Sequence, residues 1–598
     1  MMAWISVLSI AWILTEKYTG CPSQSLIIPP IAPDPALNEP SNLSCPSFGL
    51  VQVSHAPLRI GGFFYRMCAL GLPDFPQAKS KDSEDSIAGL RSSVFPSHPI
   101  DPQTVKVTLL ALLVILFLKK LFKSKNGPSK PHPPGWPVVG NIFDLGKIPH
   151  HTFYKLRADY GPVIWLKLGA INTMVVQSAE AASELFKKYD LSFADRKVPD
   201  SMTSLGYNRG SVAIGAYGDY WRKLRRICST EFLTHKRIIE STHVRQKCVD
   251  KMIEWIKTDV EKSKGNGGTG EIQLDYFLFV VAFNTVGNLT LSRDVTGTIT
   301  KLDKMSDFFE AFLMFLELIG KPNVADFFPL LKWMDPQGIK KNTTKYLEKL
   351  IRFSSEIVKE RIAEKESGMV IRERDDFLDA LLDEGEVYDD GPDKLSLKNI
   401  AILLLNNKHH NRMGNELVRH PKSMKKIQDE IDQVIGRTRK VEETDLTQLP
   451  YLQAVVKEIL RLHPAAPLLV PRNSMEDTKY MGYFVPKNTQ IFVNAWAIHR
   501  NPTLWPDPMS FKPERFLDSD IDFNGQDYQM IPFGSGRRSC LGLTLVHRMV
   551  SLTIASLLQT FDWKLGDGTK AEELDMREMT GFTLRKKVPL KVIPCLRE

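Results

Sequence analysis

Hydrophobic and polar positions divide this chain into stretches of different kinds. Met1 to Leu14 is apolar, but no basic residue precedes it and no small-residue cleavage site follows, so it only half matches a secretion signal. Ile28 to Pro102 is rich in proline and serine and shows neither strand nor helix periodicity. Such a composition buries little surface and predicts a disordered extension. Val107 to Leu118 is then uninterrupted and uncharged. From about Gly135 onward the pattern is that of one large domain. Val163 to Val176 alternates as strands do, with Gly169 at the turn between them. Most later segments have helical spacing, including the run Leu543 to Leu558 and the helix start Leu395 to Leu405. Glu364 to Asp393 is charged and contains glycines, which predicts a solvated loop. The sum is a mainly α fold with a smaller β portion. The expected division is 1–104 atypical extension, 105–126 anchor and basic stop, and 127–598 globular domain.

The twelve residues of Val107 to Leu118 fall short of the ~20 that span a bilayer, so a core helix or a signal-type segment fits the run as well. Its flanks favour a membrane anchor. Lys106 precedes it and Lys119, Lys120, Lys123 and Lys125 follow, so lysines snorkel at both ends and the basic cluster marks the cytoplasmic side. Composition adds bounds. Hydrophobic content of 43% and charged content of 25% describe an ordinary globular protein with ample core. A formal charge of +9 suits an acidic membrane surface or protein partner as well as nucleic acid. No zinc-finger spacing or aromatic-rich basic repeat supports nucleic acid, and that partner is set aside. Beyond the first hundred residues the cysteines are sparse and unpaired in spacing, which predicts a reducing compartment.

One cysteine stands in a context with its own chemistry: Phe533-Gly-Ser-Gly-Arg-Arg-Ser-Cys540-Leu-Gly542, directly before a helix. Gly534 and Gly536 permit backbone angles that let a loop press against a flat cofactor. The positive end of the following helix and the neighbouring arginines favour a thiolate, the form that ligates metal. An axial thiolate on haem iron favours O–O cleavage, so the ligand points to oxygen activation. The ten-residue pattern resembles the haem-binding loop of the cytochrome P-450 family. Other segments carry the same resemblance in order from Trp136 to Pro594. Trp221 and Arg225 are spaced to share a helix face. Glu458 and Arg461, an i,i+3 pair that alone is ordinary helix chemistry, are followed by Pro513-Glu-Arg515-Phe.

The resemblance implies a cytochrome P-450 fold carrying haem b. Cys540 is then the iron ligand in a loop that includes Phe533, Gly536 and Gly542. Trp221, Arg225, Arg472 and Arg538 hold the propionates, and Glu458 sits buried between Arg461 and Arg515 as a structural network. It also implies a monooxygenase drawing electrons from an NADPH-dependent flavoprotein reductase docked on the basic face near Cys540, with Lys223 and Arg226 part of that face. The anchor, basic cluster and prolines Lys130 to Pro137 resemble the start of microsomal members, on the cytoplasmic face of the endoplasmic reticulum. Phe193-Ala-Asp-Arg196 and Trp333-Met-Asp-Pro-Gln-Gly338 resemble plant members that oxidise terpenoid-like molecules. A small apolar substrate is expected, in a pocket formed by Ser201 to Gly215, Ala465 to Val470 and Thr580 to Thr583.

One segment departs from the family. Members carry an acid-threonine pair in the middle of the helix over the distal haem face, relaying protons to dioxygen. Here Asn406-Asn-Lys-His-His-Asn-Arg412 stands between a recognisable start and an end at Glu416 to Pro421, about nine residues or two to three turns short. A core helix does not bury such a run without partners, so no distal catalytic pair is identified. The helix is broken and exposed, or the chain is a splice or annotation variant that only binds haem. A rival class, haem-thiolate isomerase or dehydratase acting on peroxides, needs no proton relay. His409 or His410 as a distal iron ligand is a further reading; a solvated loop is the simpler one.

Overall fold

The computed structural model describes residues 130–295, 304–367, 376–383 and 413–597 except 567, 580 and 582, together with the isolated Ala111. The expected extension 1–104, the anchor 105–126 apart from Ala111, the helix start Leu395 to Leu405 and the segment Asn406 to Arg412 with His409 and His410 lie outside the described residues. The chain divides into Gly127–Glu598 with Met1–Gly20, and Cys21–Asn126. Every element below belongs to the first unit.

Helix α1 (Pro149–Tyr160), with Pro149 at its first turn, leads into the expected hairpin. Strands β1 (Val163–Leu168) and β2 (Ile171–Val176) pair antiparallel, Val163 opposite Val176. Gly169 turns the chain at φ +58°, and a Cβ there would stand 2.4 Å from the Phe327 carbonyl oxygen, so only glycine fits. The sheet is completed by β3 (Asp195–Arg196), β4 (Arg472–Asn473) and β5 (Gln490–Val493), in the order β1-β2-β5-β4-β3. This register sets Arg196 directly opposite Arg472. A second hairpin, β6 (Glu578–Met579) with β7 (Arg585–Lys586), lies near the C-terminus.

Helices make up most of the rest. Helix α2 (Asp219–Ile227) buries Trp221, Leu224 and Ile227 at a spacing of three, which leaves Arg226 exposed on the other side. Helix α3 (Leu274–Leu291) is apolar and long enough to cross a bilayer, but two-thirds of it is buried among neighbouring elements, as a core helix is. The expected solvated loop Glu364 to Asp393 is corrected where it is described. Helix α4 (Ile339–Glu366) continues through its start, and α5 (Phe377–Asp383) buries Phe377, Leu378 and Leu381. Arg361 holds Asp376 at 3.0 Å and Asp379 at 2.8 Å. A buried arginine balances Asp376 and Asp379, and the apolar positions of α5 face inward.

Helix α6 (Met413–Arg419) precedes α7 (Pro450–Leu462) and α8 (Leu543–Thr560). The largest hydrophobic cluster joins α3, α7 and α8 through residues such as Leu278, Val456, Ile459, Leu552 and Ala555. Burying a side chain of this kind contributes about 1.5–3 kcal/mol. This cluster fixes the start of α8, and with it the loop that precedes it.

Candidate active site

The cysteine loop is closed by its own backbone: the Cys540 N–H donates to the Phe533 carbonyl at 3.0 Å. Gly534 and Gly536 stand at φ +71° and +68°, the left-handed region that their lack of a Cβ makes accessible. Gly542 precedes α8, and its carbonyl accepts the Val546 N–H at 2.9 Å. Cys540 is half-buried with a free thiol. The loop is pinned from outside by Asp190, which no motif had marked. Asp190 Oδ2 accepts the Arg537 N–H at 2.9 Å, and Oδ1 accepts Arg472 Nη1 at 2.9 Å. Arg472 Nη2 donates to the Ser535 carbonyl at 3.0 Å.

Beside the loop lies a cavity of about 260 Å³ whose walls include Cys540, Phe533, Gly542 and four arginines, Arg196, Arg225, Arg472 and Arg538. No carboxylate stands among its described lining residues. Arg225 Nη2 donates to the Ser539 carbonyl at 3.0 Å, and Arg196 Nη1 to that of Val470 at 2.6 Å. Arg538 donates from Nε to the Ala194 carbonyl and from Nη2 to that of Gly215, both at 2.7 Å. Its Nη1 is buried without a partner. Burial, then Arg538, Arg472 and Arg225 as like-charged neighbours, pushes Arg196 well below its ordinary range. Burial followed by Arg472 pushes Arg538 down to about 9. A guanidinium stays charged at neutral pH, so these directions report positive charge crowded in a dry place. Such a cradle fits an anionic group.

Trp221 stands behind this wall. Its indole N–H donates to the Val212 carbonyl at 2.9 Å, and the Arg538 guanidinium lies 3.9 Å over its ring. Here it orients Arg538 by a cation–π contact. Arg196 was quoted in the sequence only as part of a resemblance; its place follows from the β3–β4 register, which two-residue strands do not announce.

The expected Glu-Arg-Arg network is assembled and buried. Arg461 grips Glu458 through two bonds of 2.7 and 2.8 Å, both side chains fully enclosed, and Arg515 Nε adds a third at 3.2 Å. The bidentate pair is satisfied further by Lys512 N–H to Glu458 and by carbonyls of His499 and Pro508 to Arg461. His499 extends the network toward the cysteine: Nδ1 lies 3.1 Å from the Arg461 carbonyl, and Nε2 accepts the Ile531 N–H at 2.9 Å. Burial holds His499 down at about 3, so it is neutral.

Of the three expected pocket segments, the first supplies Val212 and Ala213 and the second Ala465, Ala466, Leu469 and Val470. The turn at 580–583 supplies none among the described lining residues, but it ends at Leu584, whose N–H donates to the Ala465 carbonyl at 2.8 Å. The remaining wall is mostly apolar, with Phe232, Leu233, Val286 and Phe377. Thr290 also lines it, its hydroxyl donating to Val286 of its own helix at 2.7 Å.

Haem fits this donor set. A soft sulfur ligand sits in a loop that admits a flat ring, propionate charge matches arginines of which only Arg472 has an acid partner, and Arg538 Nη1 lacks a bond that a carboxylate supplies. Fold and site together define a haem-thiolate protein. The family model for cytochrome P-450 matches residues 131–407 and 415–592, so the chain belongs to the cytochrome P-450 family, whose monooxygenases use haem with a cysteine thiolate ligand. The match breaks at 408–414, across the polar segment that departs from the family. Iridoid oxidase of Catharanthus roseus is 51% identical over 508 residues, covering 83% of this chain and 97% of that protein. Geraniol 8-hydroxylase of the same plant is 36% identical over 496 residues, covering 81% and 98%. The 7-ethoxycoumarin O-deethylase of Helianthus tuberosus is 36% identical over 496 residues, covering 81% and 98%.

Proposed function

We propose that this oxidoreductase inserts one oxygen atom from dioxygen into a small apolar, terpenoid-like substrate, with Cys540 as the residue that would ligate the haem iron. The observation that carries the reading is the set of four arginines lining, with no carboxylate among the described lining residues, the cavity beside the cysteine loop. Arg225, Arg472 and Arg538, joined by Arg196, hold the propionates, with Trp221 positioning Arg538. The bound haem supplies the oxygen-activating chemistry. The chain's own residues set its surroundings. The loop glycines admit the ring, the Cys540 N–H and Asp190 fix the loop's course, and the apolar wall excludes water and selects an apolar substrate. The terpenoid class is supported by the names of the iridoid and geraniol oxidases to which the chain is similar.

Electrons come from an NADPH-dependent flavoprotein reductase, docked where Arg226 and Arg537 are exposed near the loop. The chain sits on the cytoplasmic face of the endoplasmic reticulum, held by residues 105–126. The test is spectroscopic and catalytic. The purified chain should show a thiolate-type spectrum of the reduced carbon monoxide complex that Cys540→Ala abolishes; retention in the variant refutes the assignment. With reductase and NADPH, a monoterpene alcohol should gain a hydroxyl.

The break in the family match at 408–414 favours a second reading: rearrangement of a peroxide, which needs no proton relay. Turnover of a hydroperoxide without NADPH, with no hydroxylation when NADPH and reductase are supplied, decides for it.

A further inference from the structure

Away from the cavity, α1 and the hairpin β6–β7 bring together His150, His151 and Glu578. One ligand atom from each lies within 4.8 Å of the other two. Glu578 Oε2 is 2.9 Å from His150 Nε2 and 3.4 Å from His151 Nε2. A tetrahedral ion with ligands at about 2.0–2.1 Å sets neighbouring ligand atoms about 3.3 Å apart, so both separations are close to what coordination needs. His150 is fully buried and Glu578 nearly so. His151 Nε2 is buried too and makes no hydrogen bond, although it faces the carboxylate.

A cation between His151 Nε2 and the carboxylate would be coordinated by both. The rings are held by rigid neighbours: Trp496 packs on both, at 5.5 and 4.3 Å, and Asn494 Nδ2 donates to the His150 carbonyl at 3.0 Å. Two imidazoles beside a single carboxylate disfavour calcium or magnesium, which need many oxygen ligands, and favour a borderline-soft transition ion.

We propose that His150, His151 and Glu578 bind one divalent transition ion of the zinc class. The ion ties β6–β7 to α1, and because Leu584 between the two strands bonds Ala465 on the cavity wall, it also restrains that wall. The site is independent of the oxygenase reading. The experiment uses the full-length, haem-loaded chain without a polyhistidine tag, stripped with chelator and titrated calorimetrically with zinc chloride. One zinc should bind per chain, with no comparable heat from magnesium. His151→Gln and Glu578→Gln should each weaken it at least tenfold while keeping the carbon monoxide spectrum. Zinc should slow amide exchange across 578–586 in the parent chain and not in His151→Gln. Absence of saturable zinc uptake overturns the proposal, leaving a hydrogen-bonded clasp. So does unchanged affinity in both variants, which places the zinc elsewhere.

Discussion

Two buried arginine clusters lie within this domain, and they are built on opposite principles. At the Glu458 network every positive charge has an answer inside the protein. Arg461 is held by both carboxylate oxygens and by backbone carbonyls, with Arg515 completing the set. At the cavity, Arg472 meets Asp190, but Arg196, Arg225 and Arg538 make no ion pair among the described residues and rest on carbonyls and a serine hydroxyl. Isolated buried charge is costly. Charge left without an acid partner beside one cysteine loop, with Arg196 and Arg538 buried and Arg225 half-buried, fits an anion, whereas charge neutralised from within holds structure.

The comparison is broken most severely by Arg461→Ala. It leaves Glu458 buried with only Arg515 and the Lys512 N–H as partners, and stability should fall by about 3–5 kcal/mol whether or not haem is bound. Urea unfolding of haem-free and haem-loaded protein reads this directly, and a loss confined to the haem-loaded form would erase the distinction between the clusters. Arg538→Gln should do the reverse. Removing one of several crowded like charges offsets the loss of the bonds to the Ala194 and Gly215 carbonyls, so the haem-free chain should lose far less stability than in Arg461→Ala. With Arg538 holding a propionate as proposed, the substitution should also cost a charge-assisted bond worth about 1.5–3 kcal/mol, or roughly tenfold to a hundredfold in haem affinity. Haem transfer to a scavenger protein measures that loss.

The smallest effect concerns His499, the neutral link between network and loop. Its folded value, about 3, lies below the ~6.5 of an unfolded histidine. Its contribution is therefore complete above about pH 6.5. As pH falls from there toward 3 the unfolded chain takes up a proton that the folded chain refuses, and stability drops by up to ~1.4 kcal/mol per pH unit. His499→Asn should flatten the difference between unfolding midpoints measured at pH 7 and pH 5.

Much of this was legible in the sequence because it is local. The cysteine loop, the Trp221–Arg225 spacing and the Glu458–Arg461 pair are short patterns whose geometry follows from a turn or a helix face. The hairpin at β1–β2 followed from alternation in the same way. Asp190, Arg196 and His499 were not legible. Asp190 meets Arg472 across 282 positions of chain, and Arg196 meets Val470 across 274. Arg196 is placed by a strand of two residues, too short to show a period. Asp376 and Asp379 misled because acids read as solvent-facing until Arg361, itself buried, is seen to hold them.

The link through His499 has a consequence for how the domain acquires its shape. The histidine accepts from Ile531 at one nitrogen and bonds the end of α7 at the other, and Asp190 clamps Arg537 and Arg472. All these bonds join protein atoms, so ordering the cysteine loop is part of folding itself. The conformational entropy of roughly 1–2 kcal/mol per ordered backbone residue is then offset by the same contacts that order the domain around the loop.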